Sequence, residues 1–387
     1  MKVAIVTSFP ENPGELVGGV ESVSVNLVQA LTAFSDLEIH VVTTSRTRRT
    51  LEIAPWGLAH VHRLPWAGGS MLRNATGPGR RQMQAYLSEI KPDLIHAHDT
   101  YGLMVTGMAL PRVFTIHGFI HGDTLLSRTR FARLRSWLWR RTETRGWADQ
   151  PHIISISPYV RERLTGIAMG VIHDIDNPIA ASFFEIERRE QPGTVFCAAT
   201  VTPRKNTLAL VDAAAELRHR GCDVQIRLAG SLEDTAYVRQ VRERIGRLGL
   251  EQRVVLLGSL DTEQIRAELS TAAILVLVSL EENSPMGIEE AMAAGVPVVT
   301  SNRCGMPYMV RDGESGFLVD PHDAGDIARR LRQLLESDNL RHSMGAKGNE
   351  IALDRFHPAK VADRTRLVYQ RAICNGNYSG RSRQKCR

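Results

Sequence analysis

Short apolar runs alternate along the chain with longer segments whose apolar positions recur about every three to four residues. In the first half the runs fall at 3–6, 39–42, 94–97 and 113–116, with helical-period segments at 20–34 and 81–90. A run without polar interruption reads as a strand buried on both faces, and strands alternating with helices read as βαβ units on a parallel sheet. The rhythm restarts at 194–199 and continues through strands at 224–229, 254–257, 274–278 and 296–299, with helices at 208–219 and 237–248. Between the halves lies Glu-Arg-Arg-Glu-Gln-Pro-Gly, 187–193, a charged segment closing on Pro-Gly before a buried strand. That text places a domain boundary near residue 190. The 387 residues exceed what one hydrophobic core supports, so two doubly wound α/β domains, 1–189 and 190–357, are expected, with a deep cleft between them.

Composition narrows the class. No segment approaches the roughly 20 apolar residues of a membrane span, and 43% hydrophobic with 23% charged residues is ordinary for a globular chain. The opening MKVAIVTSF is too short for a signal-peptide core and is shaped like a first strand. Five cysteines, Cys197, Cys222, Cys304, Cys374 and Cys386, are scattered without metal-ligand spacing, as in a reducing compartment. A cytoplasmic protein is expected. The net charge of +6 fits an anionic partner: nucleic acid, an anionic membrane or an anionic small substrate. Much of the excess is local. Seven arginines stand among aromatic and aliphatic residues at 127–147, and the basic tail 375–387 is expected to be disordered.

Candidate chemistry concentrates at 274–302, ILVLVSLEENSPMGIEEAMAAGVPVVTSN. This text gives a buried strand, a turn, a helix from about Met286 to Ala294 ended by Gly295, and another buried strand. In a parallel sheet the turn lies at the carboxyl edge, where ligands bind, and the helix N-terminus offers unpaired N–H groups to an anion such as a diphosphate. Glu282 and Glu290, with seven residues between them, flank that anion site as acceptors suited to hydroxyl groups. Glu289 beside them needs no role beyond offsetting the helix dipole.

The whole string resembles the E-x7-E element of the group-1 glycosyltransferases, the retaining family 4 with the GT-B fold, and the similarity extends over nearly the whole chain. The resemblance implies two Rossmann-like domains facing an interdomain cleft, the last helix, about 358–373, packing back on the first domain. It implies that Glu282 meets the donor sugar's hydroxyls, that Glu290 clamps the ribose, and that the backbone of Asn283, Ser284, Met286 and Gly287 holds sugar and phosphates. Where the commoner version reads Glu-Gly-Phe-Gly this chain reads Glu-Asn-Ser-Pro, and Pro285 has no N–H to offer.

A second element, Thr200-Val-Thr-Pro-Arg-Lys-Asn206, follows a strand where the family usually shows Gly-Arg-Leu-x-x-x-Lys. Lys205 matches the lysine that neutralises the diphosphate, whereas Thr200 stands at the arginine position. Losing a preorganised charge there costs on the order of 2–4 kcal/mol unless Arg204 compensates. Gly18 and Gly19, in the loop after the first strand, let a backbone approach the donor phosphates closely; the pattern is not the G-x-G-x-x-G of dinucleotide enzymes. His117, in Phe114-Thr-Ile-His-Gly118, matches a histidine that touches the donor sugar or its phosphate. Leu260 falls where backbone groups meet the nucleobase. His96 and His98 read as structural, and because His98 and Asp99 face opposite sides of a strand no metal site is expected.

The activity implied is metal-independent transfer of a hexose-type sugar from a nucleotide-diphosphate sugar to an acceptor hydroxyl, without further cofactor, in polysaccharide, lipid-linked glycan or secondary-metabolite glycoside synthesis. A GT-B nucleotide-sugar epimerase and a noncatalytic nucleotide-sugar-binding protein are the alternatives. The acceptor, the sugar, the nucleotide and the linkage have no legible code. Helix 127–147 has two readings, a solvated face over a core stripe of Leu134, Trp137 and Leu138, or peripheral docking on an anionic membrane. Nucleic acid is disfavoured, because no recognised binding module accompanies the arginines.

Overall fold

The computed structural model describes residues 1–12, 18–126, 131–233 and 235–376. They form two compact units, one of residues 1–178 together with the chain from Pro358 onward, the other of residues 179–357.

The first unit is built on β1 (Lys2–Val6), β2 (Glu38–Ser45), β3 (Glu52–Trp56), β4 (Ala59–Pro65), β5 (Leu94–His98), β6 (Arg112–Ile116), β7 (His152–Ser155) and β8 (Val171–Asp174). Their order is β3-β4-β2-β1-β5-β6-β7-β8, parallel except for the β3/β4 hairpin. Alternate residues of β1 serve opposite faces: Val3 and Ile5 join Leu27, Val361 and Tyr369, while Ala4 and Val6 join Met83, Leu103 and Phe114. Burial on both sides is why the run carries no polar alternation. The hairpin lies between the predicted strand 39–42 and the predicted helix 81–90, where the sequence pattern predicts no strand. Its outer strand carries Pro55, tolerable only at an edge, and buries none of its residues fully.

The second unit is built on β9 (Thr194–Ala198), β10 (Gln225–Ala229), β11 (Val254–Gly258), β12 (Ile274–Leu277), β13 (Val298–Ser301) and β14 (Gly316–Val319). All pairs are parallel, in the order β11-β10-β9-β12-β13-β14. Each sheet changes the direction of winding beside its first strand, between β1 and β5 and between β9 and β12. Ligands of doubly wound folds sit outside the carboxyl ends of strands at such switch points.

Two sequence expectations are corrected. The units part at Pro178/Ile179, not near 190. The charged 187–193 segment belongs wholly to the second unit, because its polar groups are used there: Arg188 donates to the carbonyls of Leu269 and Ala272, Arg189 N–H to Ser270 O, and Glu190 pairs with Arg341 at 2.7 Å. The arginine-rich helix, Ala132–Ala148, turns the opposite face inward from the one expected. Ser136, Trp139, Glu143, Gly146 and Trp147 are buried, and Leu134, Trp137 and Leu138 are exposed. Cys197, Cys222 and Cys304 are free.

The last helix runs Pro358–Gly376, and its Val361, Ala362, Val368, Tyr369 and Ala372 complete one core of the first unit. The expected disorder of the tail concerns residues that lie, from 377 on, outside the described set. Among the described residues no helix is long and apolar enough to cross a membrane.

Candidate active site

At the switch point of the second sheet, the loops after β9 and β12 are bonded to each other. Asn206, held at φ 58°, donates its amide to the carbonyls of Val278 (3.2 Å) and Pro321 (2.6 Å), and Leu280 N–H donates to Arg204 O at 2.8 Å. This stitching brings two cations onto one carboxylate. Arg204 Nη1 lies 3.1 Å from Glu282 Oε1 and donates to the Glu281 carbonyl at 2.8 Å, and Lys205 Nζ pairs with the same Glu282 oxygen. The cluster keeps an excess positive charge. Thr200, half-buried beyond the end of β9, carries no charge, so the second cation beside Lys205 is Arg204.

The helix Met286–Ala293 begins directly after this cluster. Its N-cap is Pro285, which supplies no side-chain hydrogen bond, and the Ser284 hydroxyl donates to Glu289 Oε1 at 2.7 Å instead of capping. Glu289 is fully buried, so it braces the turn from inside and is not a solvated dipole partner. A helix start without a side-chain cap is suited to an anion. Gly287 sits tightly over the end of β9, a Cβ there lying 3.4 Å from Ala198 O. Glu290, one turn in, is half-buried, and the protein packed around its carboxyl lifts its pKa from 4.5 to about 7. Beneath the Glu282 turn, Gly305 N–H donates to Glu282 O at 2.8 Å, and a Cβ on Gly305 would meet Asn283 O at 1.8 Å. Leu260 follows β11, two strands out from the switch point, and packs on the core.

In the first unit, Gly18 at φ 87° precedes the helix Gly19–Leu31 and gives its N-terminus no side-chain cap; Val17 lies outside the described residues. Asp99, at φ 44° after β5, accepts His117 N–H at 2.8 Å and Gly118 N–H at 3.3 Å, fixing the loop after β6. His117 Nε2 bonds His98 Nδ1 at 2.9 Å. Burial lowers the pKa of His117, while Asp99 and Asn177 push it the other way. Burial holds His98 well below its ordinary value. His98 is therefore a partner of the candidate residue, beyond the structural role read from sequence, whereas His96 is tied to Tyr369 and Thr115 at 2.7 Å each. The sequence assigns Asn177 no role at the site. Asn177 acts on His117 from 60 positions away in the chain, which no local pattern signals. Among the described residues no group of three or more His, Cys, Asp or Glu is arranged to hold a metal ion.

With this geometry in place, the chain can be set against known proteins. Residues 17–182 match the family model Glycosyltransferase Family 4, and residues 179–351 match Glycosyl transferases group 1. An MMP alpha-(1->4)-mannosyltransferase of Mycolicibacterium hassiacum is 29% identical over 73% of this chain and 71% of its own length. A D-inositol 3-phosphate glycosyltransferase of Corynebacterium diphtheriae is 33% identical over 43% of this chain and 39% of its own. Among solved structures, sucrose-phosphate synthase from Thermosynechococcus elongatus superposes with a TM-score of 0.82 at 19% identity, covering 97% of this chain and 99% of that one. Anabaena HepE in complex with UDP-glucose gives 0.70 at 18% identity, over 96% and 100%. The two models meet where the two units part, and the chain belongs to the group-1 glycosyltransferases, family 4, enzymes of the GT-B fold.

Proposed function

We propose that this glycosyltransferase moves a hexose-type sugar from a nucleotide-diphosphate sugar to an acceptor hydroxyl, with retention at the anomeric carbon and without a metal ion. The observation that carries the donor class is the convergence of Lys205 and Arg204 on Glu282 in front of the Met286–Ala293 helix start. An incoming diphosphate competes with Glu282 for both cations. Lys205 and Arg204 then neutralise the phosphates, the N–H groups of Met286 and Gly287 meet phosphate oxygens, and Glu282 is released to accept the sugar's hydroxyls. Glu290 accepts from the ribose. As the bond from C1 to the diphosphate breaks, preorganised cations and the helix N-terminus stabilise the charge that develops. The acceptor oxygen bonds to C1 on the face the phosphate leaves, and its proton passes to the departing phosphate oxygen. His117 contributes the contact to sugar or phosphate that the resemblance implies, exchanging its His98 bond to do so.

The UDP-glucose bound by HepE and the mannosyltransferase relative support a nucleoside-diphosphate hexose. The test is incubation with UDP- and GDP-hexoses and a panel of hydroxyl acceptors, following nucleotide release and the anomeric proton of the product by NMR. Acceptor-dependent release with an α product from an α donor, undiminished by a chelator, is expected. A β product would overturn retention, and loss of turnover in chelator would overturn metal independence.

A further inference from the structure

The Ala132–Ala148 helix presents to solvent a face that combines large apolar side chains with arginines. Leu134, Trp137, Leu138, Arg141 and Arg145 recur at i, i+3, i+4, i+7 and i+11 and so form one outward stripe, continued at its start by Phe131. Phe131 is 64% exposed, Leu134 56%, Trp137 55% and Leu138 38%. Arg133, Arg135 and Arg140, all exposed, flank the stripe, and Arg141 lies over the Trp137 ring at 6.0 Å. The helix has one acid, Glu143, and it is buried. The outward face thus joins large apolar side chains to five arginines, and the helix itself places no acid on it.

We propose that this face seats the enzyme on an anionic lipid bilayer, Phe131, Leu134, Trp137 and Leu138 entering the headgroup–acyl boundary and the arginines meeting lipid phosphates. A basic stripe interleaved with aromatic and aliphatic residues is complementary to such a surface in both charge and polarity. The inner face explains why the seat matters for the site. Glu143 accepts the N–H groups of Ile120 (2.8 Å) and His121 (3.1 Å) and pairs with the His121 ring at 2.7 Å, Ser136 donates to His121 O at 2.7 Å, and Trp147 packs edge-on to Phe119 at 5.7 Å. The lipid-facing helix is therefore fastened to residues 119–121, directly after His117 and Gly118. Docking would hold that loop at the membrane surface, where a lipid-linked acceptor presents its hydroxyl. The seat itself does not depend on the reading of the donor site.

The test is sedimentation of the full chain with vesicles of equal parts phosphatidylcholine and phosphatidylglycerol, against vesicles of phosphatidylcholine alone. Two variants accompany the wild type: one with Arg133, Arg135, Arg140 and Arg141 all changed to Gln, the other Leu134→Ser with Trp137→Ser. All six positions are exposed, so unchanged thermal unfolding in solution is expected and confirms folding. Wild type is expected to pellet with the anionic vesicles only, and less at high salt. At about five-fold per arginine, the four-Gln variant loses several hundred-fold in partition. The double Ser variant loses binding at all salt concentrations. Equal partition of wild type and both variants would overturn the proposal, as would failure of wild type to pellet. A monomer–dimer equilibrium abolished by the Ser variant, with no vesicle binding, would assign the face to a second copy instead.

Discussion

Replacing Glu290 by Gln separates what its carboxyl does for stability from what it does for the donor. Its raised pKa means that the folded state holds a proton more tightly than the unfolded state, so between pH 4.5 and about 7 the folded form binds more protons and stability falls as pH rises. A full shift from 4.5 to about 7 corresponds to about 3 kcal/mol. Discounting for the part of the side chain that reaches solvent leaves about 1–2 kcal/mol. Glu290→Gln has the same shape and cannot ionise, so the variant should be the more stable protein above neutral pH. For a unit of this size each kcal/mol moves the midpoint by about 2–4 °C, giving a gain of roughly 2–8 °C at about pH 8.5 that vanishes at about pH 4.5. Donor affinity should move the other way. On the proposed contact of Glu290 with the ribose, exchanging an ionised acceptor for a neutral one costs about 1–2 kcal/mol, a loss of roughly 5- to 30-fold at alkaline pH. Scanning calorimetry across pH and calorimetric titration with the nucleotide measure the two effects. A variant no more stable than wild type at alkaline pH would refute the desolvation of this carboxyl, whatever its effect on binding.

Three further substitutions probe separate parts of the site. Arg204→Gln should lower kcat about 10- to 100-fold with little change in unfolding temperature, because on the proposed donor geometry a cation at the leaving diphosphate is lost while Lys205 remains; an unchanged kcat would assign the task to Lys205 alone. Gly305→Ala drives a methyl into the Asn283 carbonyl and must displace the Glu282 turn, so thermal unfolding should fall by several degrees and donor binding should weaken with it. In Asn177→Ala the His117 imidazole loses a neighbour that favours its charged form, so its NMR titration should shift to lower pH; a shift upward would contradict that influence.

Which parts of this molecule could be read from sequence follows from how its groups are partnered. The strands β1, β2, β5, β6 and β9 to β13 were legible because burial on two faces removes every polar residue from runs such as 3–6 and 274–278. The β3 edge strand was not, since one-sided, partial burial leaves no such signature around Pro55. The domain boundary slipped because charge in 187–193 looks solvated on paper, whereas Arg188 and Glu190 spend theirs on Leu269, Ala272 and Arg341. The orientation of the Ala132–Ala148 helix was undecidable by periodicity. Trp139, Glu143 and Trp147 keep helical spacing as well as Leu134, Trp137 and Leu138 do, and only the tertiary partners of Glu143 and Ser136 choose between the stripes. In the site, Glu282, Lys205 and Glu290 were named from one local string each. Arg204's convergence on Glu282 crosses two loops, and the Asp99 and His98 contacts to the His117 segment and the influence of Asn177 on it cross three strand ends, so none of them leaves a local trace.

The central claim is that Lys205, Arg204, Glu282 and Glu290 hold a nucleotide-diphosphate sugar. The most direct measurement is a thermal-shift panel of UDP-, GDP-, ADP- and TDP-sugars on the wild type, repeated with Glu290→Ala. Stabilisation by at least one of these donors, lost in the variant, is the predicted result. A wild type stabilised by none of them, or a shift that survives intact in Glu290→Ala, would contradict it.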